Sequence, residues 1–452
     1  MEEIKKYQIA LSDYDYQRDI QNRLLMAQLT PFDIEVIREI VDGSLQTSVK
    51  QIAEQLGVDG KKVKQTLKKL ADSGLVRVEK EELFIDKEMR RYYETQLPKF
   101  GEEFVPDMEF LQGLLNKVPI HALPEWYALP RTTENIFEAI IESIFQSPRK
   151  YERHLTTVKF EESVLHEIKK EVFEAPDFQV SAQDLIEKFS LTRTEFEEHM
   201  LNLEYHLICC LGYKEVEGQW QEIVTPFHEW RAYLCALRDR AALSIAEPAK
   251  IQRLHSEEFG FILDLATLIR AGQQEELVLS SNQKDGLEWI KEHLPHVCQW
   301  PYIEEYSAAL LQILEEGFSV EWLDKPLLDK AAELYRFRAH QLLDPAAEGI
   351  YKLRDLHEVE RSLRGITERG WIYLDDFIAG LSVALGPAAA ITLQNRGKRW
   401  SYVFPDYSKE EKLFIEKALL GPLFEIGMIA QGVHQEKRCI CLTAFGRSRL
   451  EG

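Results

Sequence analysis

The chain has 452 residues, of which 45% are hydrophobic and 29% charged, and these fractions are ordinary for a globular protein. Single hydrophobic cores stop growing well below this length, so two to four domains are expected. The formal net charge is −21 and the pI is near 5.2. A general nucleic-acid coat is excluded, because binding by phosphate neutralisation needs net positive surface, but one local basic patch is not.

Cysteine usage and the first residues predict a cytoplasmic protein. No C-x-x-C motif and no disulfide-framework spacing occurs, so reduced thiols are expected. Residues 1–19 contain no apolar segment typical of a secretory signal. The six cysteines are Cys209, Cys210, Cys235, Cys298, Cys439 and Cys441.

One uncharged stretch, residues 377–393, reaches the lower limit of a membrane-spanning length. Gly386 and Pro387 interrupt it, and proline removes a backbone donor and stops a helix. Two buried segments joined by a turn are therefore predicted, and no membrane partner.

The first recognisable module starts near residue 31. An apolar stripe predicts a helix that ends at Gly43. Ser48 then begins a second helix with Gln51 as its capping-box partner, and Asp59 caps a third helix that Gly74 ends. Residues 75–86 alternate as two short strands around a charged tip. The apolar positions of the third helix are Val63, Leu67 and Leu70.

Three helices followed by a hairpin, with the pattern QIAEQLGV…V…L..L…GLV, strongly resemble the winged helix-turn-helix superfamily. The same order recurs from about residue 164 to 235, where Thr192 and Glu195 form a capping box and residues 206–227 read as two strands. A third copy is predicted in residues 351–450, with an insert over residues 387–406. Its LTAFGR segment, residues 442–447, resembles the step from wing to last helix in MarR-like winged-helix proteins.

The predicted fold class is therefore mainly α with small β-hairpins: three tandem winged helix-turn-helix modules joined by helical connectors. The predicted domains are an N-terminal extension (1–30), winged helix 1 (31–100), a helical connector (101–163), winged helix 2 (164–240), a helical domain (241–350) and winged helix 3 (351–452).

The third helix of the first module carries the strongest functional signal. Residues 60–73 hold five lysines against one aspartate. In a helix-turn-helix this helix enters the major groove, where lysine acts as a phosphate point charge and glutamine can pair with adenine. Lys62, Gln65, Thr66 and Lys69 are expected on the face opposite the apolar stripe. The alternative is a solvated lysine face, which the acidic hairpin tip EKEE favours. The predicted DNA-binding residues here are Lys61, Lys62, Lys64, Gln65, Lys68 and Lys69.

The other two modules differ in charge. Residues 192–205 contain one arginine against four glutamates, so this helix should repel phosphate; it is expected either to bind protein, through Glu195, Glu197 and Glu198, or to be purely structural. The third module is basic again. It offers a second phosphate contact or merely a polar tail, and its candidate residues are Arg396, Lys398, Arg399, Lys437 and Arg438.

No enzyme is predicted. The sequence contains no phosphate-binding G-x-x-x-x-G-K-[ST] loop, no H-E-x-x-H and no G-x-S-x-G. His293, His296 and Cys298 are ligand types for zinc, but a fourth ligand at helical or hairpin spacing is missing. The prediction is therefore no metal and no cofactor.

Together these features predict a DNA-associated protein, either a transcription factor or an accessory subunit of a DNA-processing complex, which contacts duplex DNA with little sequence choice. Tandem winged helices with acidic overall charge also resemble the kleisin-associated subunits of condensins and the helicase-partner subunits of repair complexes. The alternative is a non-enzymatic scaffold that uses winged helices to bind partner proteins; a small-molecule sensor is a third possibility, although no pocket can be read from the sequence.

Overall fold

The computed structural model describes residues 16–101, 104–115, 135–160, 162–273, 283–315, 318, 320–343, 350–388, 390–397 and 399–451. These residues form two compact units. Unit 1 draws on Met1–Cys235 and Thr392–Val403, and unit 2 on Ala236–Ile391 and Phe404–Gly452. The described chain is mainly helical with small antiparallel sheets, as the sequence predicted.

Unit 1 contains eleven described helices, a twelfth that continues into unit 2, and three small sheets or hairpins. The helices are α1 Tyr16–Met26, α2 Pro31–Asp42, α3 Val49–Leu56, α4 Gly60–Lys69, α5 Lys87–Gln96, α6 Met108–Leu115, α7 Ile136–Ile140, α8 Pro148–Thr157, α9 Ser163–Glu174, α10 Ala182–Phe189, α11 Arg193–Tyr205 and α12 His228–Arg240. The strands are β1 Gln46–Ser48, β2 Val76–Glu79, β3 Glu82–Ile85, β4 Val180–Ser181, β5 Cys209–Val216, β6 Gln219–Pro226, β9 Thr392–Arg396 and β10 Arg399–Val403.

Local sequence signals account for the first segment, residues 31–85. Thr30 caps α2 in a capping box with Asp33, and Ser48 caps α3 in a capping box with Gln51. Gly57 ends α3 with φ 65°, a left-handed conformation that favours glycine. The first strand pairs with the second hairpin strand, which gives the strand order β1-β3-β2.

Residues 163–226 repeat this order. A helix, a short strand, two helices and a hairpin follow one another, and the sheet has the corresponding order β4-β6-β5. The segment over residues 206–227 forms the two antiparallel strands β5 and β6. The short strand before the second helix was not predicted from the sequence, because strands of two or three residues leave no alternating pattern.

The two segments share one hydrophobic core rather than forming separate domains. Ile37 and Val63 from the first segment belong to the same buried cluster as Phe196 and Ile208 from the second. Phe100 stacks on Tyr213 with ring centroids 3.9 Å apart. Because the two segments bury each other's apolar side chains, they form one body within unit 1.

Unit 2 contains nine described helices in addition to the end of α12. They are α13 Gly260–Gln273, α14 Gln283–His293, α15 Ile303–Glu315, α16 Val320–Leu323, α17 Leu327–Leu342, α18 Leu353–Ser362, α19 Leu374–Gly380, α20 Lys409–Ala418 and α21 Ala444–Glu451. Its strands are β7 Gln252–Arg253, β8 Ile372–Tyr373, β11 Ile429–His434 and β12 Lys437–Leu442. Leu265, Ile290, Leu310, Ile415 and Ile440 lie in its core.

The C-terminal part of unit 2 follows the same order with one addition. A helix, the short strand β8, two helices and the hairpin β11–β12 occur in sequence, and β8 pairs with the second hairpin strand. A fourth strand, β7, extends the sheet on the other side. Between the second and third helices the chain forms the hairpin β9–β10, which belongs to unit 1.

The uncharged stretch over residues 377–393 is interrupted as predicted. Helix α19 ends at Gly380, and Gly386 turns the chain with φ 46° before β9 begins. No helix among the described residues is long and apolar enough to cross a bilayer.

Candidate nucleic-acid interface

Helix α4 is anchored by one apolar edge. Asp59 accepts a hydrogen bond from the amide of Lys61 and so caps the helix, while Val63 and Leu67 are buried in the core of unit 1. The chain then tightens into a 3₁₀ turn that Gly74 ends with φ 72°. All five lysines of α4 are at least partly exposed.

The structure divides these lysines into two groups. Within the described part of the chain, Lys61, Lys62 and Lys68 have no ion-pair partner, whereas Lys64 lies 3.3 Å from Glu81 and Lys69 lies 2.6 Å from Asp33. Salt bridges fix the two paired side chains and neutralise part of their charge. Three lysines are therefore available to a phosphate backbone at no cost in broken contacts.

The predicted outer face of α4 is partly wrong. Thr66 is buried at 1% exposure, and its hydroxyl donates to Asp33 at 2.7 Å. Lys69 bonds the same carboxylate but is 42% exposed, so Thr66 is the one residue of the predicted outer face that is buried. Gln65 is exposed and has no hydrogen-bond partner among the described residues, as a base-reading side chain requires.

The hairpin tip beside α4 is acidic but internally paired. Glu81 contacts Lys64, Glu79 lies 3.0 Å from Arg77, and Glu82 accepts a hydrogen bond from Gln46. These contacts reduce the repulsion that the sequence EKEE predicts for a nearby phosphate. They do not make the tip a cationic wing.

An open groove of about 580 Å³ lies between α3 and the N-terminal half of α4. Its walls carry as many carboxylates as ammonium groups, so it has no excess positive charge to hold an anion. Lys62 and Lys68 are exposed and do not line this groove, so they are not part of its balanced charge. The charged residues that line the groove are Lys50, Lys61, Lys64, Glu54, Asp59 and Glu81.

Helix α11 has the same place in the second segment, but its charges are largely internal. Glu197 is fully buried and pairs with Arg193, which also pairs with Glu222. Glu195 is exposed and serves in the capping box of Thr192, and Glu198 is half-buried. The expectation that Glu197 belongs to an exposed acidic face is therefore wrong, because its side chain does not reach the surface.

The end of α11 is covered by α1 and by the segment after α5. Glu204, which is buried, accepts from Arg23 Nη2 at 2.5 Å and from Lys99 Nζ at 2.6 Å. Both cations are 2% exposed. Sequence reasoning missed this cluster because the three residues are far apart in the chain and each alone has the pattern of a surface charge.

The hairpin β9–β10 exposes two of the three basic residues predicted there. Arg396 and Arg399 are exposed and lie directly opposite each other in the register, next to a turn at Gly397. Like charges in opposed positions repel, so a bound anion would relieve them. Lys398 lies outside the described residues.

Two residues at the tip of β11–β12 were predicted to contact DNA, and only one of them is exposed. Lys437 is exposed, with its ammonium 5.6 Å from the ring of Tyr373. Arg438 is only 14% exposed, stacks 3.6 Å from the ring of Tyr302 and pairs with Glu305 and Glu416. Its charge is compensated internally, so the expectation that Arg438 contacts DNA is not supported by its surroundings.

The three side chains considered for zinc have separate surroundings. His293 stacks on Trp289 with centroids 4.2 Å apart, and the thiol of Cys298 donates to the carbonyl of Lys291. His296 instead contacts Asp264 from α13. All six cysteines are free thiols.

Comparison of the chain with known protein families, with curated proteins and with solved structures finds no match.

Proposed function

We propose that the protein associates with duplex DNA through α4, and that the three segments of recurring element order are winged-helix modules. The order of helix, short strand, two helices and hairpin, with the first strand paired to the last, occurs three times in the described chain. In helix-turn-helix proteins with this order, the helix in the position of α4 enters the major groove.

The observation that carries the proposal is the set of available cations on α4. Lys61, Lys62 and Lys68 are exposed and have no ion-pair partner among the described residues, although the whole chain carries a net charge of −21. An excess of acid elsewhere repels nucleic acid, so contact would be confined to this patch. Such confinement suits an accessory subunit or a regulator better than a protein that coats DNA.

DNA binding through α4 is expected to depend only weakly on the base sequence. Ammonium groups neutralise phosphates without distinguishing bases. Gln65 is the one α4 side chain suited to a base edge, through a bidentate contact with adenine. A modest preference for A·T pairs at one position is therefore expected above a salt-dependent background.

The other modules have supporting roles in this proposal. Helix α11 packs beneath α1 with its buried Glu204, so it is not offered to a groove. The opposed Arg396 and Arg399 of the hairpin β9–β10 supply a second phosphate contact within unit 1. No catalytic role is proposed for any residue.

The test is a fluorescence-anisotropy titration of random duplex DNA over a range of salt concentrations. Each neutralised phosphate adds about −0.9 to the slope of log affinity against log salt, so three lysines predict a slope of roughly −2.7 from α4. The double variant K62A/K68A should make the slope shallower by about 1.8. Gln65→Ala should leave the slope unchanged and remove the preference for A·T.

The matched control removes the same charge elsewhere in unit 1. Lys159 and Lys170 are exposed and lie outside α4. The double variant K159A/K170A should therefore bind like the wild type. Wild-type protein that does not bind duplex, or a K62A/K68A variant that binds like the control, would refute the proposal. The alternative function, a scaffold that binds partner proteins, would then be the one to test.

A further inference from the structure

Unit 2 brings together four polar side chains that are scattered in the sequence. His255 follows β7, Asp264 lies on α13, His296 follows α14 and Tyr306 lies on α15. Asp264 Oδ2 accepts from the Tyr306 hydroxyl at 2.6 Å and lies 2.9 Å from His296 Nε2. His255 Nε2 lies 2.9 Å from the same hydroxyl oxygen and 3.8 Å from Asp264 Oδ2.

The spacing of these atoms fits a metal ion. One ligand atom from each of His255, Asp264 and His296 lies within 4.8 Å of the other two. A tetrahedral zinc ion with bonds of about 2.0–2.1 Å separates its ligands by roughly 3.4 Å. The two distances to Asp264 Oδ2, 2.9 and 3.8 Å, lie on either side of that value.

The site is also held in place before any ion enters. The side chains of His255 and Asp264 are 9% and 8% exposed, and His296 is 41% exposed. A Cβ placed on Gly260 would lie 2.2 Å from Cγ of His255, so only glycine at the start of α13 leaves room for that ring. Phe424 stacks on the imidazole of His255, with ring centroids 6.1 Å apart. These contacts fix the imidazole against the backbone and leave the cluster open on the side of His296.

The chemical types of the three candidate ligands also fit a divalent transition-metal ion. His255 is nearly buried and its Nε2 faces Asp264, and an imidazole nitrogen is an ordinary ligand atom for zinc. Two imidazoles and one carboxylate, with a further position open, are a ligand set of zinc and other divalent transition metals. Tyr306 orients the carboxylate, as hydrogen bonds from surrounding residues commonly do in metal sites.

We infer that His255, Asp264 and His296 bind a divalent transition-metal ion, with zinc the best-matched ion, and that Tyr306 positions Asp264. The expectation of no zinc weighed His293 and Cys298 as partners of His296, whereas the structure pairs His296 with Asp264. The ion joins the segment after β7, α13 and the turn after α14, so binding should stabilise unit 2. This inference is independent of the proposed DNA contact on α4.

A purely hydrogen-bonded network is the competing explanation. In that arrangement His296 donates to Asp264, Tyr306 donates to Asp264, and His255 donates to the tyrosine oxygen. All four groups would then be satisfied without an ion. The two explanations differ in whether the protein takes up metal, and a direct measurement separates them.

The experiment uses the full chain, stripped with a chelator and dialysed against Zn²⁺ or Co²⁺. One ion per chain is expected, with visible Co²⁺ absorption of four- or five-coordinate strength and a raised Tm in the presence of Zn²⁺. His296→Gln carries the test, because the exposed side chain can be changed without disturbing the core. It should weaken Co²⁺ binding at least about 100-fold, and Tyr306→Phe about 10-fold.

Two neighbouring variants serve as controls. His293→Gln and Cys298→Ser change the other ligand types in the same segment and should keep one ion per chain. Wild-type protein that retains no ion, or an H296Q variant with wild-type affinity, would show that the cluster is a hydrogen-bonded network only. Loss of the ion in C298S but not in H296Q would place the metal elsewhere and overturn the assignment as well.

Discussion

Helices α4 and α11 occupy the same position in two repeats of one element order, yet they use charge in opposite ways. On α4 the lysines Lys61, Lys62 and Lys68 project into solvent, and the buried residues are Val63, Thr66 and Leu67. On α11 the carboxylates of Glu197 and Glu204 are buried. Glu197 pairs with the partly exposed Arg193, whereas Glu204 meets two buried cations. One helix presents its charges to solvent, and the other uses them to attach neighbouring segments.

The difference shows why a count of charges along a helix does not give its surface. Residues 192–205 carry four glutamates, but two of them are buried and compensated. On α4, likewise, the ammonium of Lys69 is paired with the buried carboxylate of Asp33, although the lysine side chain is 42% exposed. Burial decides which charges a partner meets, and burial depends on contacts from distant parts of the chain.

The carboxylate bonded to α4, Asp33, and the carboxylate on α11, Glu197, have pKa values that are shifted in opposite directions. Burial alone would raise the pKa of Asp33, but hydrogen bonds from Lys69, Thr30 and Thr66 together lower it below its usual value. Burial raises the pKa of Glu197, and the opposing effect of Arg193 does not overcome it. The α4 network is therefore favourable in its charged form, whereas α11 contains a carboxylate that resists ionisation.

The largest expected effect comes from breaking the buried cluster under α11. Glu204→Gln removes the carboxylate that compensates Lys99 and part of the compensation of Arg23. An uncompensated buried charge costs about 3–5 kcal/mol, so the free energy of unfolding should fall by that amount. Urea denaturation at pH 7 measures it, with Glu198→Gln as the control, since Glu198 is half-buried on the same helix. Equal stability of the two variants would mean that the cluster does not hold α1 on α11.

A smaller effect is expected for the acid beneath α4. Asp33 accepts hydrogen bonds from the Thr30 amide and hydroxyl, from Thr66 and from Lys69. Asp33→Asn should lower stability by about 2 kcal/mol at pH 7, because hydrogen bonds to a charged acceptor are weakened. Since the folded pKa lies below the ordinary 3.8, this contribution is fully present above that value and is lost as pH falls through the folded pKa.

The check is denaturation of wild type and D33N at neutral pH and again at about pH 3. The two curves should converge as the solution becomes acidic. A difference that stays constant with pH would assign the effect to packing rather than to the ionised carboxylate.

The corresponding prediction for α11 has the opposite sign. Glu197 has a folded pKa raised above 4.5, so its contribution is fully present below that value and is lost as pH rises through the folded pKa. Glu197→Gln does not titrate, and Arg193 keeps Glu222 as a partner. The variant should match wild type below pH 4.5 and become more stable than wild type at pH 8, by about 1.4 kcal/mol for each unit of pKa shift. Thermal melts over this pH range measure the difference in stability. A wild type that became more stable relative to the variant as the pH rises would contradict this prediction.

Much of the local structure was predictable, because its signals are short-range. The capping boxes at Ser48 and Thr192 and the stop at Gly74 all appear in the described chain. The mainly α class with small hairpins follows from the same signals. The strands of two or three residues were not predictable, since they form only by pairing with a hairpin that comes later in the sequence.

The candidate sites were less predictable than the fold. The exposed lysines of α4 follow from helical periodicity, but the pairing of Lys69 with Asp33 depends on how α2 packs. The cluster of His255, Asp264 and His296 leaves no motif, because its members come from three separate segments. Only tertiary packing of unit 2 brings them together.

The smallest expected effect concerns stability and separates the two kinds of lysine on α4. K62A/K68A should change the free energy of unfolding by less than about 0.5 kcal/mol, because both side chains are exposed and alanine favours helix. Lys69→Ala should cost about 1 kcal/mol, since it removes a donor to the buried Asp33 carboxylate. Urea denaturation of both variants at pH 7 measures the contrast. If K62A/K68A were the less stable variant, Lys62 and Lys68 would be structural residues, and any loss of DNA affinity in it would no longer identify a phosphate contact.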